Sequence, residues 1–93
     1  MTELTCFKLR LYIAGDAPNS LSADANLREF CRDHLADRCE IEIVDVLIDP
    51  RRALEDGVLL TPTLIKLSPA PVRKIVGSLS DRTRLLQALG PLN

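Results

Sequence analysis

The side chains best suited to chemistry in this 93-residue chain are three cysteines, one histidine and an acidic group. The cysteines are Cys6, Cys31 and Cys39, the histidine is His34, and the acids are Asp45, Asp49, Glu55 and Asp56. Cysteine thiolates would carry out thiol–disulfide exchange or hold a soft metal. The spacing fits neither. No two cysteines stand in C-x-x-C order, and three is an odd number for a disulfide scaffold. Each reads as a small buried or half-buried apolar residue. His34 has no second histidine to complete a metal pair and reads as a surface residue near a helix end. The acids read as helix capping and solvated charge. There is no Gly-rich phosphate loop, no H-E-x-x-H and no serine elbow. We expect no catalytic residue, no cofactor and no metal, and read the chain as a module that binds something.

Composition narrows what it binds. Twelve basic and 13 acidic residues are interspersed, for a net charge of -1, so no basic footprint for nucleic acid is present. The apolar runs fall far short of the roughly 20 residues that span a bilayer. No basic-then-apolar leader is seen at the N-terminus, which predicts a cytoplasmic protein. At 46% hydrophobic residues and 3% aromatic, the core of one domain over residues 1–93 must be aliphatic.

Several elements would position these groups. Phe7–Ile13 alternates and predicts a strand. Gly15-Asp16-Ala17-Pro18-Asn19-Ser20 reads as a loop. Ser20 or Ser22 would cap a helix whose apolar positions are Leu21, Ala25, Leu27, Phe30, Cys31 and Leu35. Cys39–Val46 alternates again and runs on through Leu47 and Ile48, predicting a second strand suited to burial. A helix between two strands is the signature of a parallel βαβ unit. Asp49-Pro50 starts a short helix that Gly57 ends. Thr63–Leu67 and Val72–Val76 form a hairpin, entered at Pro62, which cannot occupy a central strand, and left at Gly77. Ser80 would cap a last helix with Leu85, Leu86 and Leu89 on one stripe, stopped by Gly90-Pro91. The order is βαβαββα.

That order, with Thr61-Pro62-Thr63 opening the hairpin, resembles the thioredoxin-like α/β fold, in which this proline is cis. There the loop after the first strand holds the redox dithiol. Here that loop has no cysteine, so a disulfide reductase is not expected. More specifically, the chain resembles the KaiB family of circadian clock proteins. The resemblance rests on Leu11-Tyr12-Ile13-Ala14-Gly15, Pro18-Asn19-Ser20, Val44-Asp45-Val46-Leu47, Asp49-Pro50, Thr61-Pro62-Thr63-Leu64 and Pro71–Gly77 with Leu79–Arg82. It spans about Phe7 to Leu89 without gaps.

The resemblance implies a non-catalytic protein that docks on KaiC, a hexameric ATPase, and in the full clock captures KaiA and displaces a sensor kinase. It also implies two folds for one sequence. One is the thioredoxin-like monomer; the other is a ground state, βαββααβ, usually tetrameric, with the C-terminal half repacked. By residue, Asp45, Arg73 and Lys74 match the family's binding surface. Ser22 and Ala25 stand where clock members carry basic residues, and Glu42 replaces a lysine tied to KaiA, so KaiA capture is not expected. Pro62, Pro71, Gly77, Ala88 and Gly90 carry the fold choice. Ala88 favours helix over the glycine of many members by about 1 kcal/mol. Gly90 and Pro91 interrupt the alternative strand, and Asn93 stands where its aromatic would pack. The expected major form is thus the thioredoxin-like monomer, with a tetramer or dimer as the alternative. Two other readings are a stand-alone relative of the KaiB-like sensor module of signalling histidine kinases and, disfavoured by the missing dithiol, a redox thioredoxin.

Overall fold

A computed structural model describes residues 6–89. The elements are β1 (Phe7–Ile13), α1 (Pro18–Leu35), β2 (Cys39–Asp45), α2 (Pro50–Glu55), β3 (Thr63–Ser68), β4 (Arg73–Val76) and α3 (Arg82–Leu89). This is the order expected from the sequence. The four strands form one sheet in the order β2-β1-β3-β4. β2 lies parallel to β1, with Phe7 opposite Cys39 and Ile13 opposite Asp45. β3 runs antiparallel to β1, with Tyr12 opposite Thr63, and β4 returns beside β3, with Ile65 opposite Lys74. The Thr61–Pro62 bond is cis, and so are Ser68–Pro69 and Ala70–Pro71.

Alternation along the strands sorts side chains onto two faces. Phe7, Leu9, Leu11, Leu64 and Ile75 point to the side covered by α1 and α3, where they meet Leu27, Phe30, Leu35, Leu85 and Leu89. Tyr12, Val44 and Ile65 point to the other side and pack with Ala53 of α2 and with Val58. The main core is aliphatic apart from two phenylalanines, and each fully buried Leu or Phe contributes roughly 1.5–3 kcal/mol by leaving water. Lys66 is also buried, at 3% exposure. Its Nζ donates to the Leu89 carbonyl at 3.3 Å, at the negative end of the α3 dipole.

Three boundaries differ from the sequence reading. α1 starts at Pro18 rather than after a serine cap, because proline at the first helical position brings its own helical φ. Ser20 is buried one turn in, and its hydroxyl accepts from the Ala14 amide at 3.1 Å. Leu21 points outward at 55% exposure. β2 stops at Asp45, whose Oδ1 accepts the Gly15 amide at 3.1 Å and the Leu47 amide at 2.9 Å. That turn leaves Leu47 and Ile48 in solvent rather than in a strand. At α3 the cap is Asp81, which accepts from the Arg84 amide at 3.2 Å, and not Ser80. The end of α2 agrees with the reading. The Gly57 amide bonds to Leu54 and the Val58 amide to Ala53, and Gly57 has φ +67, a Schellman closure that needs glycine. Gly90, Pro91 and Asn93 lie outside the described residues, as does any strand they would interrupt.

α1 ends without glycine. Ala36 and Asp37 both take positive φ, 49° and 60°. The left-handed region costs an L-residue about 1–2 kcal/mol, of which glycine's larger unfolded-state entropy returns only part. Ala36→Gly should therefore raise stability by up to about 1 kcal/mol, read as a rise of a few degrees in the thermal midpoint. An unchanged or lower midpoint would show that the closing turn is not strained.

Candidate functional site: a partner-binding surface

The loop that would hold a redox pair follows β1, at the end of the sheet where Tyr12 faces Thr63 and Pro62 is buried. It offers no thiol. The cysteines gather at the opposite end, where β1 and β2 begin. Among the described residues, no group of three His, Cys, Asp or Glu side chains is arranged to hold a metal. No helix among them is long and apolar enough to cross a membrane.

What the sheet does carry is a connected polar array on its α2 side. Alternation places Arg10 and Tyr12 of β1, and Glu42 of β2, on that side. Arg10 Nε donates to Glu42 Oε1 at 2.8 Å and its Nη1 to Asp56 Oδ2 at 2.8 Å. Arg52 Nη1 reaches Glu42 Oε2 at 2.7 Å. The Tyr12 hydroxyl lies 2.5 Å from Asp56 Oδ2 and 2.9 Å from the Arg52 carbonyl. It has one proton, which it donates in a hydrogen bond to the carboxylate. Lys74 Nζ donates to the Asp56 carbonyl at 2.5 Å, closing the C-terminal end of α2. The two arginines hold Glu42 at about 2. Bonds from Tyr12 and Arg10 hold Asp56 below the usual carboxylate range. Burial, with Asp56 alongside, pushes Tyr12 up to about 12.

Beside Lys74 the surface turns apolar. Gly57, Val58, Leu59, Leu60, Thr63 and Val76 line a shallow groove with it. Leu59 is 90% and Leu60 64% exposed. Apolar side chains left in water next to an unpaired edge strand mark a docking surface more often than a fold requirement.

The sequence-selected residues do not form one patch. Ser22 and Ala25 are exposed on α1. Glu42 and Lys74 belong to the α2-side array and are linked through Arg10 and Asp56. Asp45 is occupied in the turn after β2. Arg73 and Lys74, read as a basic pair, point to opposite faces of β4. Arg73 lies opposite Lys66 on the α3 side, and Lys74 opposite Ile65 on the α2 side. Pro71 is exposed just before β4. Gly77 has φ +122 and donates its amide to the Pro62 carbonyl at 3.0 Å. Ala88 is half-buried against the core. Sequence reasoning missed Arg10 and Tyr12, although their i, i+2 spacing on a strand puts them on one face. It also missed Asp56 as their partner, for which only the fold gives a signal.

Fold and site together define a thioredoxin-like domain whose redox loop lacks the dithiol and whose exposed features suit protein binding. A KaiB domain model matches residues 10–91, and the chain belongs to the KaiB family. It is 44% identical over 89 residues to the circadian clock oscillator protein KaiB of Prochlorococcus marinus, covering 96% of this chain and 76% of that protein. It is 43% identical over 81 residues to the circadian clock protein KaiB3 of a Synechocystis species, covering 87% and 79%. Among solved structures, the N-terminal domain of Synechococcus elongatus SasA superposes with a TM-score of 0.76 at 19% identity, covering 96% of this chain and 88% of that one. Oxidised mitochondrial thioredoxin 3 of Saccharomyces cerevisiae gives 0.69 at 18% identity, covering 87% and 74%. These last two speak for the fold.

Proposed function

We propose that this chain is a non-catalytic regulator that docks on a KaiC-type hexameric ATPase in a circadian or simpler timing or stress system. The observation that carries this reading is the exposed apolar groove around Lys74, on the segment that matches the family. The exposed face of α1 at Ser22 and Ala25 extends the proposed surface, and Arg73 contributes from the far side of β4. KaiA capture is not part of the proposal, because both oxygens of Glu42 are engaged by Arg10 and Arg52. The binding-competent form is the thioredoxin-like monomer. A repacked C-terminal half belongs to the proposal as a minor state.

The test is co-elution and affinity against a KaiC homologue assembled in ATP. Lys74→Glu would place a negative charge beside the Asp56 carbonyl and confuse binding with stability, so Lys74→Gln is the cleaner variant. It should weaken binding about tenfold, about 1.4 kcal/mol, with most of the loss in dissociation rate. Leu59→Ser should weaken it in the same assay without lowering the thermal midpoint. Unchanged affinity for both variants would remove the groove from the interface. A sensor or adaptor module that binds a signalling histidine kinase is the second reading, favoured by the fold shared with the SasA N-terminal domain. Retention by a kinase sensor region, with none by the ring, would select it.

A further inference from the structure

Two of the three cysteines lie together, though nothing in their spacing along the chain shows it. Cys31 is on the penultimate turn of α1, and Cys39 is the first residue of β2. The antiparallel return of the chain from α1 into β2 brings them back to back. Cys31 is 3% exposed within the main core, and Cys39 packs against that core from the sheet. The two thiols are close enough to influence each other's ionisation. Both also line a surface depression with Arg28, Arg32, Asp37 and Ile41, so only side chains, and no backbone layer, lie between the pair and solvent. Cys6 is exposed nearby, close enough to Cys39 for their charges to interact.

We propose that Cys31 and Cys39 form a reversible disulfide when the protein meets a small peroxide, making this end of the sheet an oxidation-sensitive site. The two neighbouring sulfurs share the oxidation between them, and Cys31, with the lowered thiol, is the first to react. The neighbouring Cys39 lowers the Cys31 thiol below its ordinary value, and Cys31 raises that of Cys39. Burial and the Asp37 carboxylate oppose the Cys31 thiolate, and the Arg28 guanidinium favours it. The Cys31 thiolate attacks one peroxide oxygen, the O–O bond breaks, and the leaving hydroxide takes a proton to become water. Cys31 is then a sulfenic acid. Cys39 sulfur attacks Cys31 Sγ, the S–O bond breaks, and the departing hydroxide takes the Cys39 proton as a second water. Two thiols lose two electrons, and one peroxide accepts them. A dithiol reductant reverses the bond by exchange.

The bond would join the end of α1 to the start of β2 across a short connection. Closing that connection removes unfolded-chain freedom, so oxidation should raise the thermal midpoint, by at least about 5 °C for a domain of this size. Because the βαβ half is the part so fastened, the oxidised protein would hold α1 rigidly against the sheet.

The experiment uses the reduced full chain and its Cys6→Ser variant, each treated with one equivalent of hydrogen peroxide under native conditions. Expected are the loss of about 2 Da from the intact monomer and the loss of two thiols in both proteins. A non-reducing tryptic map should show Glu29–Arg32 joined to Cys39–Arg51. Dithiothreitol should restore both thiols and the lower midpoint. Cys39→Ser should take up peroxide oxygen at Cys31 without forming the link. The proposal is overturned if the Cys6→Ser variant keeps both thiols. It is also overturned if the only linkages found join Cys6 to Cys39 or one chain to another.

Discussion

Leu85→Ala will empty the form described here. α3 is fastened to the sheet by two fully buried side chains, Leu85 and Leu89, each 1% exposed. Ala88 adds a small half-buried apolar contact, and the remaining ties of α3 are polar. Lys66 meets its last described carbonyl, and Arg82 reaches Glu29 at 3.1 Å and Asp33 at 3.4 Å on α1. Arg82 is exposed, so its pairs contribute little. A buried leucine cut to alanine costs about 2–5 kcal/mol. In the proposed two-fold equilibrium that cost falls on the state in which α3 packs as a helix, and the two states need differ by only a few kcal/mol. Since about 1.4 kcal/mol changes a population ratio tenfold, the variant should cross over. Helical carbon shifts across Arg82–Leu89 should vanish, and light scattering should report a tetramer or dimer. Leu27→Ala is the control. Leu27 lies on α1, in the half common to both folds, so it should lower the midpoint and leave the helical signature of α3 intact. If Leu85→Ala gives only a less stable monomer with α3 still helical, this chain has no second fold within reach.

Asp56→Ala will have the next largest effect. It deprives the Tyr12 hydroxyl and Arg10 of their shared acceptor, with Tyr12 fully buried. A buried polar group left without its partner costs about 1–3 kcal/mol. The Arg52 carbonyl, 2.9 Å from the hydroxyl, offers the proton another acceptor and keeps the loss below the top of that range. The pH dependence has a definite sign. Glu42 and Asp56 are both held below their ordinary values. Both contributions are complete above about pH 4.3 and are lost on acidification, that of Glu42 as pH falls toward about 2. Tyr12 is shifted the other way, up to about 12. Its contribution is complete below about pH 10 and is lost between 10 and 12. In Asp56→Ala the acid slope should flatten. The alkaline limb should move to lower pH, though not all the way to 10, because burial of Tyr12 is the larger cause and survives the substitution. Chemical denaturation at pH 3, 7 and 11 decides it. An alkaline limb that does not move would show that the Asp56 carboxylate does not hold the Tyr12 proton.

Much of this was legible along the chain. Phe7–Ile13 and Cys39–Val46 announce strands by alternation, Asp49-Pro50 and Gly57 frame α2, and Thr61-Pro62-Thr63 marks entry to the hairpin. The candidate surface was less legible, for reasons tied to particular residues. Arg73 and Lys74 are adjacent in sequence, and strand geometry sends adjacent side chains apart. Asp45 looked available because nothing local reveals that Gly15 and Leu47 supply its hydrogen bonds. The apolar run through Leu47 and Ile48 read as buried because periodicity cannot see a turn closed by a side chain. Cys31 and Cys39 became neighbours only through the way α1 hands the chain to β2. Lys66 sits in a strand that reads as apolar, and only the end of α3 accounts for its burial.

The strand order has a consequence for how the molecule would come apart. β1 lies between β2 and β3, so within the sheet the strands after α2 join those before it along the single β1–β3 border. That border is irregular, with a shift in register at Lys8 and Leu9. Parting along it would leave the βαβ half, from Phe7 to Asp45, whole and still bonded to itself. With the α1–α3 contacts also released, β3, β4 and α3 would come away as one piece. The sheet is therefore built as a page and a binding, in which the later half can be turned without rewriting the earlier one.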